Sequence, residues 1–130
     1  MMPEIILALF LVAHGLIHLG YVTPAPPDPK YPFRFEKSWL ITSLHIETGL
    51  VRMMGTALGA LTALGYVLAA LAIMGVIMPG ALWQPFTLGA SVLSLLTLIL
   101  FWHPWLVLGV AIDVFLLLAL VVLHWQPFGL

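Results

Sequence analysis

The chain has 130 residues, of which 63% are hydrophobic and only 7% are charged, and its mean hydropathy is +1.18. Soluble domains carry about 25% charged residues, so this composition excludes a soluble globular domain and indicates that the lipid bilayer surrounds the chain. The net charge of −1 excludes a nucleic-acid-binding surface, and the absence of cysteine excludes disulfides and thiolate-bound metal centres.

The first predicted transmembrane helix covers residues 4–22. Pro3 and Glu4 stand at its start, where proline and an acidic residue are common. A signal peptide begins with basic residues, which this segment lacks, so we expect the helix to be retained. His14 and His18 lie four residues apart inside it, a spacing that places both rings on one helical face.

Residues 23–48 form a proline-rich, charged loop between the first and second predicted helices. Five prolines in the first ten residues of this loop favour extended backbone and exclude a helix there. Trp39 marks the later part as interfacial, and residues 38–47 fit a short helix on the surface. Two interpretations of the loop remain open, a solvated connector and a docking surface for a partner.

Residues 49–78 form one continuous apolar run that is long enough to cross the membrane with some tilt. The run contains Gly55, Gly59 and Ala63 at four-residue intervals. Small residues at this spacing let a second helix approach closely. The face therefore predicts close helix packing, either inside the chain's own bundle or between two copies.

Residues 84–102 and 105–124 form the third and fourth predicted helices. Thr87, Ser91 and Ser94 fall on one stripe of the third helix. Only two residues separate the third helix from the fourth, so we expect them to be antiparallel neighbours. The predicted fold class is all-α, a polytopic membrane protein built as a single bundle of four transmembrane helices.

The cationic side chains all lie in or next to the loop between the first and second helices: Lys30, Arg34, Lys37 and Arg52. The positive-inside rule therefore predicts that loop 23–48 is cytoplasmic. With four crossings of the cell membrane, both ends of the chain would lie outside.

Each predicted helix carries polar side chains at a similar depth in the loop-side half of the membrane. His14 and Asp113 each lie about eight residues from that end of their helices, which is about 12 Å at 1.5 Å per residue. A mid-membrane aspartate costs about 3 kcal/mol to insert and therefore needs a partner. We predict that His14 and Asp113 meet. The full predicted polar cluster is His14, His18, Arg52, Thr56, Ser94 and Asp113.

His14, His18 and Asp113 are candidate cofactor-binding residues. Two histidines and one carboxylate form a known metal-ligand set. Haem needs axial ligands on opposite sides of its ring, which two histidines on one helical face do not supply, so a haem would need a further ligand. Proton or quinone chemistry is another alternative. The structural alternative is a buried polar cluster that fixes the register of the bundle.

The run His14–Gly20, with the sequence His-Gly-Leu-Ile-His-Leu-Gly, resembles the first helix of uncharacterised small bacterial four-helix membrane proteins. It is distantly similar to DoxX-type membrane proteins, whose first helix often carries His-Gly followed by a basic residue. His18 stands at that basic position here. The resemblance implies an accessory role beside redox enzymes in the membrane.

The expected function is that of a non-catalytic accessory subunit or scaffold of a larger membrane complex, of a redox or energy-converting kind. The expected partners are the bilayer and other membrane subunits or a second copy. The alternative is a small redox or cofactor-binding protein that uses His14, His18 and Asp113 with quinone, haem or a metal ion. A third hypothesis is transport of protons or a small solute. Four helices leave little room for the moving halves of a transporter unless the chain dimerises.

Overall fold

The computed structural model describes residues 1–23, 26–28, 30–31 and 34–127, and within these ranges it is helical and contains no strand. The predicted fold class is confirmed, because four helical segments are long and apolar enough to cross a membrane. These segments are Met2–Tyr21, Thr48–Ile73, Gly80–Leu100 and Pro104–Val122. The chain is therefore an all-α, multi-pass bundle whose apolar outer surface suits lipid.

The α-helices of the described chain are α1 (Met2–Ile17), α2 (Trp39–Thr42), α3 (Thr48–Ile73), α4 (Trp83–Leu100) and α5 (Val107–Leu117). Tighter or wider turns extend them at His18–Tyr21, Phe35–Lys37, Gly80–Leu82, Pro104–Leu106 and Leu118–Val122. In space α1 packs against α3, α3 against α4, and α4 against α5. Few direct contacts join α1 to α5, so an open seam remains between the first and last spans.

The second span ends five residues earlier than the apolar run predicts. α3 stops at Ile73, and Gly75 then takes a left-handed backbone conformation with φ of 66°, which glycine tolerates best. The amide of Val76 bonds back to the carbonyl of Leu71, a common closure of a helix C-terminus. The chain therefore turns over residues 74–79, although they are apolar.

The small-residue face of α3 packs against the first span of the same chain. A Cβ added to Gly59 would lie 2.6 Å from the carbonyl oxygen of His18, which leaves no room for any side chain. Ala63 is buried, and its carbonyl oxygen would lie 3.4 Å from a Cβ on Gly15. Gly55 is buried against the ring of Phe35. Close packing is thus present inside the bundle, and this face is not available to a second copy.

Part of the loop packs onto the end of the bundle instead of acting as a solvated connector. The aromatic rings of Tyr21, Phe35 and Phe101 form a buried cluster there. Ser38 Oγ donates to the carbonyl of Leu100 at 2.7 Å, and the Trp39 indole nitrogen donates to the carbonyl of Ile99 at 2.8 Å. These bonds satisfy carbonyls at the end of α4 that have no partner inside the helix.

The helix predicted over residues 38–47 is shorter, since α2 ends at Thr42. Arg34 holds the preceding segment together, because its guanidinium donates to the Glu36 carboxylate and to the Pro26 carbonyl, both at 2.8 Å. A backbone hydrogen bond and the ion pair with Arg34 hold the pKa of Glu36 below its usual range. Three of the five loop prolines lie outside the described residues, at positions 24, 29 and 32.

Candidate functional site

The carboxylate of Asp113, at the centre of the bundle, joins all four spans. Asp113 lies on α5 and is completely buried. Its Oδ1 accepts from His14 Nε2 of α1 at 2.8 Å and from the Tyr66 hydroxyl of α3 at 2.7 Å. Its Oδ2 accepts from the Ser94 hydroxyl of α4. One side chain is therefore held by a donor from each of the three other spans.

Further hydrogen bonds extend this network on both sides of Asp113. The Oγ of Ser94 also lies 2.7 Å from His18 Nε2, and His18 Nδ1 donates to the carbonyl of His14 at 3.2 Å. On the other side, the Tyr66 hydroxyl lies 2.9 Å from Ser91 Oγ. Because the Tyr66 proton points to Asp113, the Ser91 hydroxyl donates to Tyr66. Asp113, Ser94, Tyr66 and both nitrogens of His18 are thus hydrogen-bonded, as buried polar groups require.

The helical spacing of the sequence sets the positions of these side chains. His14 and His18 are one turn apart on α1 and its 3₁₀ extension, and Ser91 and Ser94 are one turn apart on α4. The ring of His14 also meets the ring of Tyr66 edge to face, with centroids 5.0 Å apart. Packing therefore fixes the imidazole that reaches Asp113.

Gly15 brings α3 close enough for the Tyr66 hydroxyl to reach the network. A Cβ on Gly15 would lie only 2.7 Å from the Cβ of Tyr66. Any side chain at position 15 would therefore push Tyr66 away from α1. Gly15, the residue after His14, therefore permits the close packing of α1 against α3.

The hydrogen bonds allow two arrangements of protons between Asp113 and His18. In the first, Asp113 is a carboxylate, Ser94 donates to it, and His18 is an imidazolium that donates both of its N–H groups. In the second, Asp113 holds a proton on Oδ2 and donates to Ser94, which donates to a neutral His18. The two arrangements differ by the movement of two protons along Asp113–Ser94–His18, with no change of heavy-atom contacts. The hydrogen bonds of the trio therefore permit protons to move between Asp113 and His18 without a change of fold.

His14 has one nitrogen outside the network. Its Nε2 donates to Asp113, so in the neutral ring Nδ1 carries a lone pair. Within the described residues, no hydrogen bond to Nδ1 is present. A histidine whose other nitrogen donates to a carboxylate is oriented to accept a proton, a donor or a metal at the free nitrogen.

The predicted contact between His14 and Asp113 is present, and the structure also brings His18 and Ser94 into the same network. Arg52 and Thr56 do not take part, which corrects their assignment to the polar cluster. Arg52 is exposed at the loop end of α3.

Thr56 lies at the end of the first span instead of the middle, because its hydroxyl donates to the carbonyl of Tyr21 at 3.2 Å. The first residues of α3 lie beyond the loop-side end of the first span. Counting residues from the start of α3 therefore predicts a polar residue nearer that end than the depth of Asp113. Tyr66, ten residues later, supplies the contact from this span. A tyrosine inside an apolar span needs a hydrogen-bond partner for its hydroxyl. The position of Tyr66 within the apolar span of α3 is therefore the sequence signal that indicates a polar contact there.

His14, His18 and Asp113 are not arranged as a set of metal ligands. Within the described ranges, no group of three His, Cys, Asp or Glu residues is arranged to hold a metal ion. Both nitrogens of His18 are bonded, to Ser94 and to the carbonyl of His14. His14, His18 and Asp113 would therefore have to break existing bonds to share one ion.

Cavities open along the seam between α1 and α5 on both sides of His14. The larger one, of about 500 Å³, is an apolar groove that includes Met2, Ile6, Phe10, Phe115 and Trp125. The smaller one, of about 130 Å³, lies on the loop side and includes His14, His18, Leu98, Trp105 and Gly109. Both histidines thus line the smaller pocket and not the larger groove.

Comparison with protein families, with curated proteins and with solved structures finds no match to this chain. The likeness of the first helix to DoxX-type proteins therefore stays a prediction.

Proposed function

We propose that this chain is a non-catalytic subunit or scaffold of a larger membrane complex. The observation that carries the proposal is the open apolar groove of about 500 Å³ along the seam between α1 and α5. Hydrogen bonds around Asp113 join the four spans to one another, and the apolar groove beside them is unfilled. A transmembrane helix of a neighbouring subunit fits such a groove, since helices in membranes associate through close packing.

The redox or energy-converting nature of the complex is part of the proposal and rests on the resemblance of the first helix. The cytoplasmic position of the loop is also proposed. It is supported by the clustering of all four Lys and Arg residues at one end of the bundle.

Site-specific photo-crosslinking in native membranes tests the subunit proposal. A photoreactive residue at Ile6, inside the groove, should crosslink to one discrete membrane protein. The same residue at Leu96, exposed on α4 and outside the groove, should not. Ile6→Trp should then release that partner during mild-detergent purification, and Leu96→Trp should retain it. Equal crosslinking at both positions, or retention in both variants, would refute the proposal.

A second candidate function is favoured by the free nitrogen of His14 beside the smaller pocket. In this proposal the chain binds a small redox molecule or cofactor, such as quinone, haem or a metal ion, through the region of His14, His18 and Asp113. An absorption spectrum, metal analysis and an organic extract of the purified protein test it. A colourless, metal-free protein with no extractable small molecule would count against a resident cofactor.

A further inference from the structure

The pocket on the loop side of His14 opens to the lipid-facing surface between α1 and α5. Its apolar walls include Ile17, Leu98, Leu106 and Ile112, and its polar lining comes from His14 and His18. Leu108, which lines the pocket, is 69% exposed, so this part of the lining lies on the outer surface of the bundle. A molecule dissolved in the bilayer can therefore approach the imidazoles sideways, without passing through water.

The volume of the pocket sets the size of its ligand. The cavity measures about 130 Å³. An apolar protein cavity of about 150 Å³ holds one benzene molecule. The pocket therefore takes a single six-membered ring, and any longer part of the ligand would extend through the opening into the lipid.

The hydrogen-bonding state of the two imidazoles sets the chemistry of the ligand. His18 has no free nitrogen, because both of its nitrogens are bonded. In the neutral ring, His14 donates through Nε2 to Asp113, which leaves Nδ1 as an acceptor without a partner among the described residues. A ligand that bonds to this nitrogen must supply a donor. A hydroxyl group meets this condition, whereas a carbonyl or ether oxygen does not.

We propose that the pocket binds a lipid-soluble compound of the phenol class, with its ring in the space lined by His14, Leu98 and Gly109 and its hydroxyl donating to His14 Nδ1. The inference rests on the second candidate function and names the ligand class of that site. Gly109 matters for this site because a Cβ there would lie 3.0 Å from Leu98 Cδ1 and 4.0 Å from His14 Cε1. A side chain at position 109 would therefore displace Leu98 and narrow the pocket beside His14.

The test measures binding of 4-bromophenol and of its methyl ether, 4-bromoanisole, to the whole chain in lipid nanodiscs. The two compounds share the ring and the bromine, and only the phenol has a donor. The phenol should bind about three- to tenfold more tightly than the ether after correction for partition into empty nanodiscs, which is the range of one net hydrogen bond. The anomalous signal of bromine in a crystal should place the ring beside His14.

Two glycine variants supply the matched comparison. Gly109→Val should abolish the specific binding of the phenol, because the new side chain narrows the pocket. Gly89→Val should leave it unchanged, since a Cβ on Gly89 meets nothing within 4 Å and Gly89 lies outside this pocket. The thermal unfolding midpoint of each variant shows whether the bundle has remained folded. If Gly109→Val unfolds, the bromine position in the unmodified protein decides.

Three results would overturn the inference. They are equal affinity for the phenol and the ether, phenol binding that survives in folded Gly109→Val, and a bromine site away from His14. A haem, quinone or metal found in the purified protein at this pocket would also overturn it, while leaving the second candidate function intact. If the phenol does not bind and no cofactor is found, both the inference and the second candidate function are refuted.

Discussion

The hydroxyl of Ser94 lies between the carboxylate of Asp113 and Nε2 of His18, so one side chain connects an acid and a base inside the bundle. The two ionisable groups belong to the last and first spans, and Ser94 belongs to the third. Their connection therefore depends on the assembled fold and not on any single helix.

Replacing Ser94 tests this hydrogen-bonded connection. Ser94→Ala should change the ¹⁵N chemical shift of His18 Nε2, because that nitrogen loses its partner. The shift of His18 Nδ1, which bonds to a backbone carbonyl, should change less. Ser94→Thr keeps a hydroxyl and should preserve the unmodified spectrum. Magnetic-resonance spectra of the selectively labelled protein in bilayers give these shifts. An unaltered Nε2 shift in Ser94→Ala would show that the hydrogen bond between Ser94 and His18 is absent.

Asp113 should be the polar residue whose loss costs the most stability. Asp113→Leu removes three hydrogen bonds between spans. Each contributes about 0.6 kcal/mol in membrane proteins, so the free energy of unfolding should fall by about 2 kcal/mol. Thr87→Val is the control, because the Thr87 hydroxyl bonds only to a carbonyl of its own helix. Denaturation in mixed micelles measures both, and a similar loss in the two variants would contradict the central role of Asp113.

His14 and Asp113 should be energetically coupled. The sum of the losses in His14→Leu and Asp113→Leu should exceed the loss in the double variant by about 0.5 kcal/mol or more, since the bond is counted twice in the sum. The same cycle between His14 and Thr87 provides an uncoupled comparison. Strict additivity of the His14 and Asp113 losses would mean that the contact contributes nothing to stability.

Gly59 should not tolerate a larger residue. The atom that a new Cβ would meet is the backbone oxygen of His18, which cannot rotate away. Gly59→Leu should therefore separate α1 from α3 and lower the unfolding midpoint. Gly89→Leu places the same side chain in open space and should have little effect. Equal midpoints for the two variants would contradict the close contact.

The orientation of the chain is accessible to labelling because the chain has no cysteine. Lys30→Cys should react with a membrane-impermeant maleimide only after the cells are opened. Gln126→Cys should react in intact cells, as expected if the loop is cytoplasmic and the end of the fourth span is outside. Labelling of position 126 only after opening would reverse the topology.

Sequence patterns predict the four spans and the meeting of His14 with Asp113 well, because hydropathy and short connections fix the depth of the first and fourth helices. The depth of the second helix is different. Its start is set by the packing of Phe35 and Phe101 against Gly55, a contact between distant parts of the chain. Counting residues from the start of the second helix therefore predicts Thr56 as the polar residue at the depth of Asp113. In the structure Tyr66 makes that contact.

The loop shows the same limit. Its prolines and charges predict exposure, and hydropathy alone does not show that Ser38 and Trp39 reach the last carbonyls of α4. Such bonds depend on where the third span ends in space. The local sequence around Ser38 and Trp39 does not indicate how close the end of α4 lies.

The position of Asp113 in the fourth span has a consequence for biosynthesis. His14, Tyr66 and Ser94 enter the membrane first, and their shared acceptor arrives only with the last helix to be made. Until then, a nascent chain lacks the acceptor that joins these three side chains, a state that membrane quality control can distinguish from the finished bundle. We expect chains truncated before residue 104 to be degraded faster than full-length chains, even though three spans are complete.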